Sequence, residues 1–212
     1  VHDLEANAGQ LGERRQRTAE ELREHPLDRF AVRGEGGGLG QLVAACVVLG
    51  VKASDILPDE AGQLGVTVIP LNVTLEDSTV LRDGVDMTPT EYYGILSGCH
   101  KLPTTSQPSP ELFENFFTEA AAAGDEVIGI FLSHELSGTY QCAKLAADMV
   151  NVDNILFVDS ENVCLGEALL VRLAVHLRDS GKSAGQIAAI LEHAKEHLHL
   201  VAAIDDLKYL RK

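Results

Sequence analysis

Two short segments of the chain concentrate hydroxyl side chains, which can donate hydrogen bonds to an anion. Residues 103–110 read PTTSQPSP and residues 133–140 read SHELSGTY; we call them the first and the second hydroxyl segment. Each precedes a stretch with helical periodicity, so backbone N–H groups and the positive end of a helix dipole would lie beside the hydroxyls. This combination predicts a site for a small anionic group, and a carboxylate is the group that we expect.

Each hydroxyl also has a simpler interpretation that involves no ligand. Ser109 and Ser137 could only cap helices, because serine is a common N-cap residue. Thr104 and Ser106 could belong to a proline-rich surface turn, and the Ser133 hydroxyl could bond to its own backbone. The residue pattern leaves both interpretations open.

Strand and helix patterns alternate along most of the chain. Apolar, β-branched stretches indicate strands at residues 42–51, 66–75, 127–132, 155–158 and 200–204. Helical patterns occupy residues 58–64, 89–96, 110–123, 140–150, 164–178 and 184–198. This alternation predicts an α/β fold with a mostly parallel sheet flanked by helices. Pro70 argues against a central, fully paired position for the second of these strands.

Several residues predict where helices begin and which face they bury. Thr88 with Glu91, and Ser183 with Gln186, have the spacing of a capping box. Proline at a helix start and glycine after a helix end mark further boundaries. The apolar face expected for the last helix consists of Ile187, Ile190, Leu191, Ala194 and Leu198.

Two polar positions coincide with the carboxyl ends of predicted strands. Ser133 directly follows the strand at 127–132, and Asp159 follows the strand at 155–158. Ligands of parallel α/β sheets bind beyond the carboxyl ends of the strands, so these two loops could converge on one site. The alternative for Asp159 and Ser160 is a cap on the next helix.

Four linked motifs resemble the DegV family of fatty-acid-binding proteins, over roughly residues 50 to 210. They are IPLNVTLEDSTVLRDGVDMTPTEYY, PTTSQPSPELF, LSHELSGTYQCA and FVDSENVCLG, in the order and at the spacings of that family. The resemblance implies the EDD fold and a long-chain fatty acid as the ligand. It also implies that hydroxyls of the TTSQPS and SGTY loops hold the fatty acid carboxylate, which a partner fatty acid kinase then converts to an acyl phosphate.

The family pattern assigns roles to individual residues of this chain. It implies that Thr105 and Ser137 make the main contacts to the carboxylate, that Thr104, Ser106 and Ser133 are the next candidates, that Gly138 permits close backbone approach, and that Gln107 braces the loop.

The chain departs from the family pattern at two places. His134 and Glu135 stand where the family usually has a serine and a small or neutral residue, and we expect both side chains to face solvent. The alternative for His134 is a pH-sensitive donor. The Asp-Ser motif that ends the first strand in the family is absent, because residues 50–55 read GVKASD.

The sequence predicts two parts, an N-terminal arm and a domain that extends to the last residue. Residues 1–40 read as a charged helical arm and a glycine-rich linker, and one interpretation is the remnant of a preceding domain. This segment is similar to the tail of fatty acid kinase subunits of the dihydroxyacetone kinase type. Residues 41–212 form the expected DegV-like domain, C-terminally incomplete, because IDDLKYLRK at the end resembles a point well inside the family domain. The second lobe of the fold would then be truncated.

Composition restricts the partners of the chain. Its 17 basic and 32 acidic side chains give a net charge of −15, which repels nucleic acid and anionic membrane surfaces. An anionic ligand must therefore be held by local, neutral donors. Four scattered cysteines are typical of a cytoplasmic protein, and the longest apolar run, residues 42–51, is too short to span a bilayer.

No metal or other cofactor is predicted. His193 and His197 lie one helical turn apart and could form a metal pair, but a third ligand is not evident and HExxH is absent. Lys195 and Glu196 favour a solvated helix face instead.

Three functions remain in competition. The first is a non-enzymatic carrier that holds a fatty acid carboxylate at the Thr105 and Ser137 loops and presents it to a partner kinase. The second is a phosphotransferase or kinase-related enzyme of the same fold, for which His134 is the one reactive histidine on a strand-end loop. The third is a truncated domain that binds no lipid.

Overall fold

The computed structural model describes residues 46–203 and contains a four-stranded parallel sheet. Its strands are β1 (Cys46–Val51), β2 (Val66–Ile69), β6 (Glu126–Phe131) and β7 (Ile155–Asp159), in the order β2-β1-β6-β7. All three neighbouring pairs are parallel. The predicted α/β class is therefore confirmed. The predictions for residues 1–45, which include the first part of the strand expected at 42–51, and for residues 204–212 lie outside the described residues.

Six helices connect the strands in the described part of the chain. They are α1 (Pro58–Leu64), α2 (Pro89–Gly98), α3 (Pro110–Ala123), α4 (Thr139–Val150), α5 (Leu165–Asp179) and α6 (Ala184–Lys195). A 3₁₀ turn, Lys52–Ser54, follows β1 directly. All six helices were expected, and their boundaries agree with the sequence patterns to within one to three residues.

The two faces of the parallel sheet carry different cores, because side chains alternate along each strand. On one face, Phe131 and Phe157 of the strands contact Phe113 and Phe117 of α3 and Tyr140 of α4. On the other face, an aliphatic core of residues from α5, α6 and the strands is buried; it includes Val48, Ile128, Ile130, Val158, Val171, Ile187 and Leu191. The sheet thus lies between two helical layers.

Local capping signals give the helix ends that the sequence predicts. Thr88 and Ser183 each form a complete capping box at the start of a helix. Gly65 and Gly124 follow α1 and α3 with φ angles of 59° and 74°, the left-handed conformation that glycine adopts without strain. These boundaries need no tertiary information.

A second, antiparallel sheet departs from the prediction. Residues 66–75, expected as one strand, divide at Pro70 into β2 and β3 (Asn72–Thr74), which belong to different sheets. β3 is the central strand between β4 (Val80–Arg82) and β5 (Thr104–Ser106). Part of the first hydroxyl segment is therefore a strand rather than a turn, because β3 supplies backbone hydrogen-bonding partners from about thirty residues earlier in the chain.

Near the end of the described chain one prediction is wrong and another holds except at one residue. Residues 200–203 form no strand and are exposed, with no neighbouring strand to pair with in the described part, and Ile204 lies outside it. In α6 the expected apolar face is largely confirmed: Ile187 and Leu191 are buried and Ala194 and Leu198 pack against the same core, whereas Ile190 is exposed. None of the described helices is long and apolar enough to cross a membrane.

Candidate functional site

The connections of the parallel sheet define where a ligand would bind. From β1 the chain moves to β2 on one side, and later enters β6 on the other side of β1. The order therefore reverses between β1 and β6, and the crevice at the carboxyl ends of these strands is the usual ligand position in doubly wound sheets. The second hydroxyl segment leaves β6 at this crevice, as the sequence predicts.

Ser133 is the buried anchor of the second hydroxyl segment. Its backbone N–H donates to the carbonyl of Asn162 (2.8 Å), and its own carbonyl accepts from the N–H groups of Leu136 (2.9 Å) and Ser137 (3.2 Å). Its hydroxyl accepts from the N–H of Glu135 at 3.3 Å. The alternative in which this hydroxyl bonds to its own backbone is therefore present in the structure.

Ser137 and Thr139 form a hydroxyl pair at the start of α4. The oxygen of Ser137 accepts from the Thr139 N–H at 3.3 Å and shares a 2.8 Å hydrogen bond with the Thr139 hydroxyl. The hydrogen bond between the two hydroxyls uses only one of their two protons, so the remaining hydroxyl proton can be donated to a ligand. Thr139 is fully buried, and sequence reasoning did not select it as a site residue, although it belongs to the quoted SGTY motif.

The three hydroxyls of β5 do not share one face of the small sheet. Thr105 pairs with the buried Val73, so its side chain lies on the inner face, whereas Thr104 and Ser106 lie on the opposite face. All three side chains are exposed. Of this set, Thr105 is thus the residue that shares a face with buried packing.

The two hydroxyl segments meet just beyond these hydroxyls. The side-chain oxygen Oε1 of Gln107 lies against the backbone of Gly138, in the space that a methyl group at this position would occupy. The Cys142 thiol also donates to the carbonyl of Pro108 at 3.6 Å. Residues from both segments therefore form one continuous surface.

The His134 side chain is exposed, as expected, and it also contacts a carboxylate that the sequence did not indicate. Its Nδ1 contacts Oδ2 of Asp159, and its Nε2 lies 3.2 Å from Oε1 of Glu135, while its side chain remains 46% exposed. The hydrogen bond with Asp159 raises the pKa of the imidazole, and the carboxylates of Glu135 and Glu161 act in the same direction. Glu135 is 81% exposed, as expected.

Asp159 is a loop organiser rather than a helix cap. Its Oδ1 accepts from the N–H of Glu161 at 3.0 Å, and its backbone carbonyl accepts from Nζ of Lys195 at 3.1 Å. The residue before α5 is Cys164, which has a φ of 54° and whose side chain makes no capping bond. The helix-cap interpretation of Asp159 is therefore wrong.

Two buried polar side chains near the carboxyl end of β1 were not predicted from the sequence. Ser54 is fully buried, as is Glu167 of α5, and both Oγ of Ser54 and Oε2 of Glu167 have no hydrogen-bonding partner among the described residues. The other oxygen of Glu167 accepts from the Val51 N–H at 3.4 Å. Burial raises the pKa of Glu167 well above its ordinary value. The sequence contains a signal for a buried acid, because Glu167 is the single acidic residue in the apolar run LGEALLV.

A third potential metal ligand joins His193 and His197 at the end of α6. Their ligand atoms and a carboxylate oxygen of Glu196 all lie within 4.8 Å of one another, and all three side chains are exposed. Nδ1 of His193 is 3.6 Å from Oε2 of Glu196. Glu196 was not expected as a third ligand, because next to Lys195 it indicated a solvated helix face.

Comparison with known proteins places this geometry in a family. A family model described as "Uncharacterised protein, DegV family" matches residues 53–212. A DegV domain-containing protein of Caldanaerobacter subterraneus is 35% identical over 157 residues, which are 74% of this chain and 55% of that protein. One of Deinococcus radiodurans is 35% identical over 160 residues, 76% of this chain and 56% of the relative.

Solved structures of the same family have a similar fold. A Thermus thermophilus DegV family protein, described for its fatty acid binding, superposes with a TM-score of 0.65 at 36% identity and covers 72% of this chain and 54% of its own. DegV of Bacillus subtilis, described as a fatty acid binding protein, gives 0.65 at 29% identity, with 73% and 55% covered. The chain spans about half the length of the relatives it matches. Because the family model matches most of the chain, this chain belongs to the DegV family.

Proposed function

We propose that this chain binds a long-chain fatty acid and holds its carboxylate between Thr105 and the Ser137–Thr139 hydroxyl pair. The observation that carries the proposal is the approach of Gln107 to Gly138, which joins the two hydroxyl segments at the carboxyl edge of the parallel sheet. The fatty acid binding described for the Thermus thermophilus relative, and the stearic acid described for a 29% identical protein of Eubacterium ventriosum, support a lipid as the ligand.

Neutral donors suit this ligand. If Thr139 donates its hydroxyl proton to Ser137, the Ser137 oxygen accepts two hydrogen bonds and its own proton is directed outward, in a polarised chain of bonds. The first N–H groups of α4 have no acceptor within the helix and carry the positive end of its dipole. A carboxylate at this position therefore receives hydroxyl and backbone donors without a lysine or arginine.

We further propose that the bound carboxylate is presented to a partner fatty acid kinase. That kinase would transfer a phosphoryl group from its own donor to a carboxylate oxygen and form an acyl phosphate, so this chain would act as the carrier and not as the enzyme. The exposed position of Thr105 supports access from solvent.

The phosphotransferase alternative has less support. A nucleophilic histidine needs a neutral ring with one free nitrogen, but both nitrogens of His134 face carboxylates and its pKa is raised. The raised pKa increases the protonated fraction of the ring at any given pH, and the protonated ring has no lone pair with which to attack phosphorus.

The proposal is tested by Thr105→Ala combined with Ser137→Ala. Native mass spectrometry of the purified chain should detect a fatty acid between myristate and stearate on the unmodified protein and none on the double variant. The reason is that the variant loses both hydroxyl donors to the carboxylate.

Thr90→Ala with Thr118→Ala is the matched control, since both threonines are exposed on helices outside the two segments. This control should retain the lipid, and both double variants should unfold at similar urea concentrations. Unchanged lipid occupancy in the Thr105/Ser137 variant would show that the carboxylate lies elsewhere.

A further inference from the structure

The Asp159 carboxylate collects donors from two separate loops. Its Oδ2 receives the backbone N–H of His134 at 3.4 Å and contacts the ring nitrogen Nδ1 of the same residue. Its Oδ1 receives the N–H of Glu161. One buried carboxylate thus connects the second hydroxyl segment, which follows β6, to the loop between β7 and α5.

The Asp159 side of this link is rigidly held. Asp159, Ser160 and Asn162 are buried, and the Ser160 hydroxyl both donates to the Asn162 carbonyl at 3.0 Å and accepts its N–H at 3.1 Å. Lys195 of α6 holds the Asp159 carbonyl from a further element. His134 is the solvent-accessible side of the link, because Asp159 is only 11% exposed.

We propose that His134 is a positioning residue whose protonated ring, held by Asp159, keeps the second hydroxyl segment in the geometry that binds a carboxylate. This inference rests on the proposed function and adds a regulation to it. The turn from Ser133 to Ser137 closes directly around His134, so a change at this ring acts on the position of the Ser137 hydroxyl. Carboxylate binding therefore depends on pH.

The charges around His134 determine the direction of this dependence. It faces Asp159 of β7, Glu135 of its own turn and Glu161 of the following loop, while Lys195 of α6 pairs with Glu161 (3.1 Å) and Glu192 (2.6 Å). The pKa of His134 is raised by these carboxylates, so the charged link is complete below the ordinary value of 6.5 and is lost as pH rises through the raised value.

The loss should be partial. A neutral imidazole can still donate from Nδ1 to Asp159, but a charge-assisted hydrogen bond is about twice as strong as a neutral one, so we expect affinity to fall about three- to tenfold. A fatty acid carboxyl group, like a glutamic acid side chain of pKa about 4.3, stays ionised over the same range. The change in binding therefore originates in the protein.

The experiment measures palmitate affinity from pH 6 to 9 for the unmodified chain, His134→Asn and the control His199→Asn. Asparagine can donate to Asp159 but does not titrate. The palmitate affinity of His134→Asn should therefore be the same at every pH and equal to that of the unmodified chain at high pH. His199 is exposed in the described chain end, and its variant should keep the pH step. Proton NMR titration of the His134 ring, assigned with the same variant, should give a pKa above 6.5 that falls in Asp159→Asn.

The outcomes separate the two proposals. A flat affinity profile in the unmodified chain, or an NMR pKa of His134 that does not respond to Asp159→Asn, overturns the positioning role and leaves fatty acid binding intact. Absence of palmitate binding at every pH, with His134 still titrating above 6.5, refutes the proposed function and with it the effect of this link on binding.

We also infer, from a separate observation, that His193, Glu196 and His197 form a site for a divalent transition metal such as Zn²⁺. Two imidazoles and a carboxylate are a donor set that zinc accepts, with an open position left for water. The three ligand atoms lie within 4.8 Å of one another, so small rotations of exposed side chains bring them around one ion. The ion would sit at the C-terminal end of α6, where the helix dipole favours a cation.

Isothermal titration calorimetry with Zn²⁺ alone tests this site. We expect one ion per chain and an affinity that falls about tenfold or more in His193→Ala, His197→Ala and Glu196→Gln, since each removes one of three ligands. Zn²⁺ should also raise the urea concentration at which the unmodified chain unfolds. His199→Ala is the control and should bind as the unmodified chain does. Equal Zn²⁺ affinity in a His193→Ala/His197→Ala double variant would exclude the site.

Discussion

Individual buried polar residues in this fold are of two kinds. Ser160 and Asn162 hydrogen-bond to each other, and the Asp159 carboxylate accepts the N–H of Glu161, so these groups hold the loop beyond β7. Glu167 differs, because one carboxylate oxygen accepts a long hydrogen bond from Val51 and the other has no partner among the described residues. An ionised carboxylate in this position would be poorly solvated, so the folded state favours the protonated form.

This asymmetry predicts a pH-dependent stability that Glu167→Gln removes. Above the ordinary pKa of 4.5 the unfolded chain ionises at Glu167, whereas the folded chain retains the proton up to its raised pKa. Unfolding therefore becomes more favourable as pH rises through this window, by at most about 1.4 kcal/mol per pH unit. Urea unfolding at pH 5, 6, 7 and 8 should show this loss in the unmodified chain and a flatter dependence in the variant.

The control is Glu111→Gln, which changes an exposed carboxylate of α3 and should leave the slope unaltered. The prediction fails if Glu167→Gln and the unmodified chain lose stability in parallel between pH 5 and 8.

At the level of elements, helices were predictable and the small sheet was not. The capping boxes at Thr88 and Ser183 act within four residues, so a local pattern suffices to locate them. β5 forms only because β3 lies beside it, and no local signal in TTS distinguishes such a strand from a turn. The same limit applied to the candidate site: its hydroxyls were visible in the sequence, whereas the pairing of His134 with Asp159 needs two loops that only the sheet brings together.

The central strand β6 carries a packing constraint at Gly129. A methyl group at this position would lie 2.6 Å from Cε2 and 2.9 Å from Cζ of Phe131, closer than real carbon atoms approach. The Phe131 ring cannot move freely, because it stacks on Phe157 with ring centroids 6.0 Å apart and meets Tyr140 edge-on at 5.8 Å.

We therefore expect Gly129→Ala to destabilise the fold by about 1–3 kcal/mol through overpacking. Gly94→Ala is the matched comparison, because Gly94 lies in the middle of α2 with no atom within 4 Å of the added methyl group. That variant should stabilise the chain by about 0.5–1 kcal/mol, as alanine does relative to glycine in a helix. Urea unfolding of both variants measures the difference, and equal stability would show that the aromatic core adapts.

At the level of the whole molecule, charge opposes the proposed ligand. The chain carries a net charge of −15, and its sequence pI is about 4.8. The long-range field therefore repels a carboxylate, while the proposed short-range donors, which are the hydroxyls of Thr105 and Ser137 and the start of α4, would attract it. Salt screens the first effect over distances of about 30 Å at 0.01 M and about 10 Å at 0.1 M, but leaves contact hydrogen bonds largely unchanged.

Palmitate affinity should consequently rise about two- to fivefold between 10 and 200 mM NaCl, measured by equilibrium dialysis at pH 7. Sites built from lysine or arginine clusters behave in the opposite way, because salt screens their attraction. Hexadecanol is the matched control ligand: it has the same chain length and no charge, so any rise in its affinity reports only the strengthening of apolar burial by salt, which must be subtracted. A palmitate affinity that falls with salt would mean that a cationic side chain holds the carboxylate, and Thr105 and Ser137 would then have at most a minor part in binding.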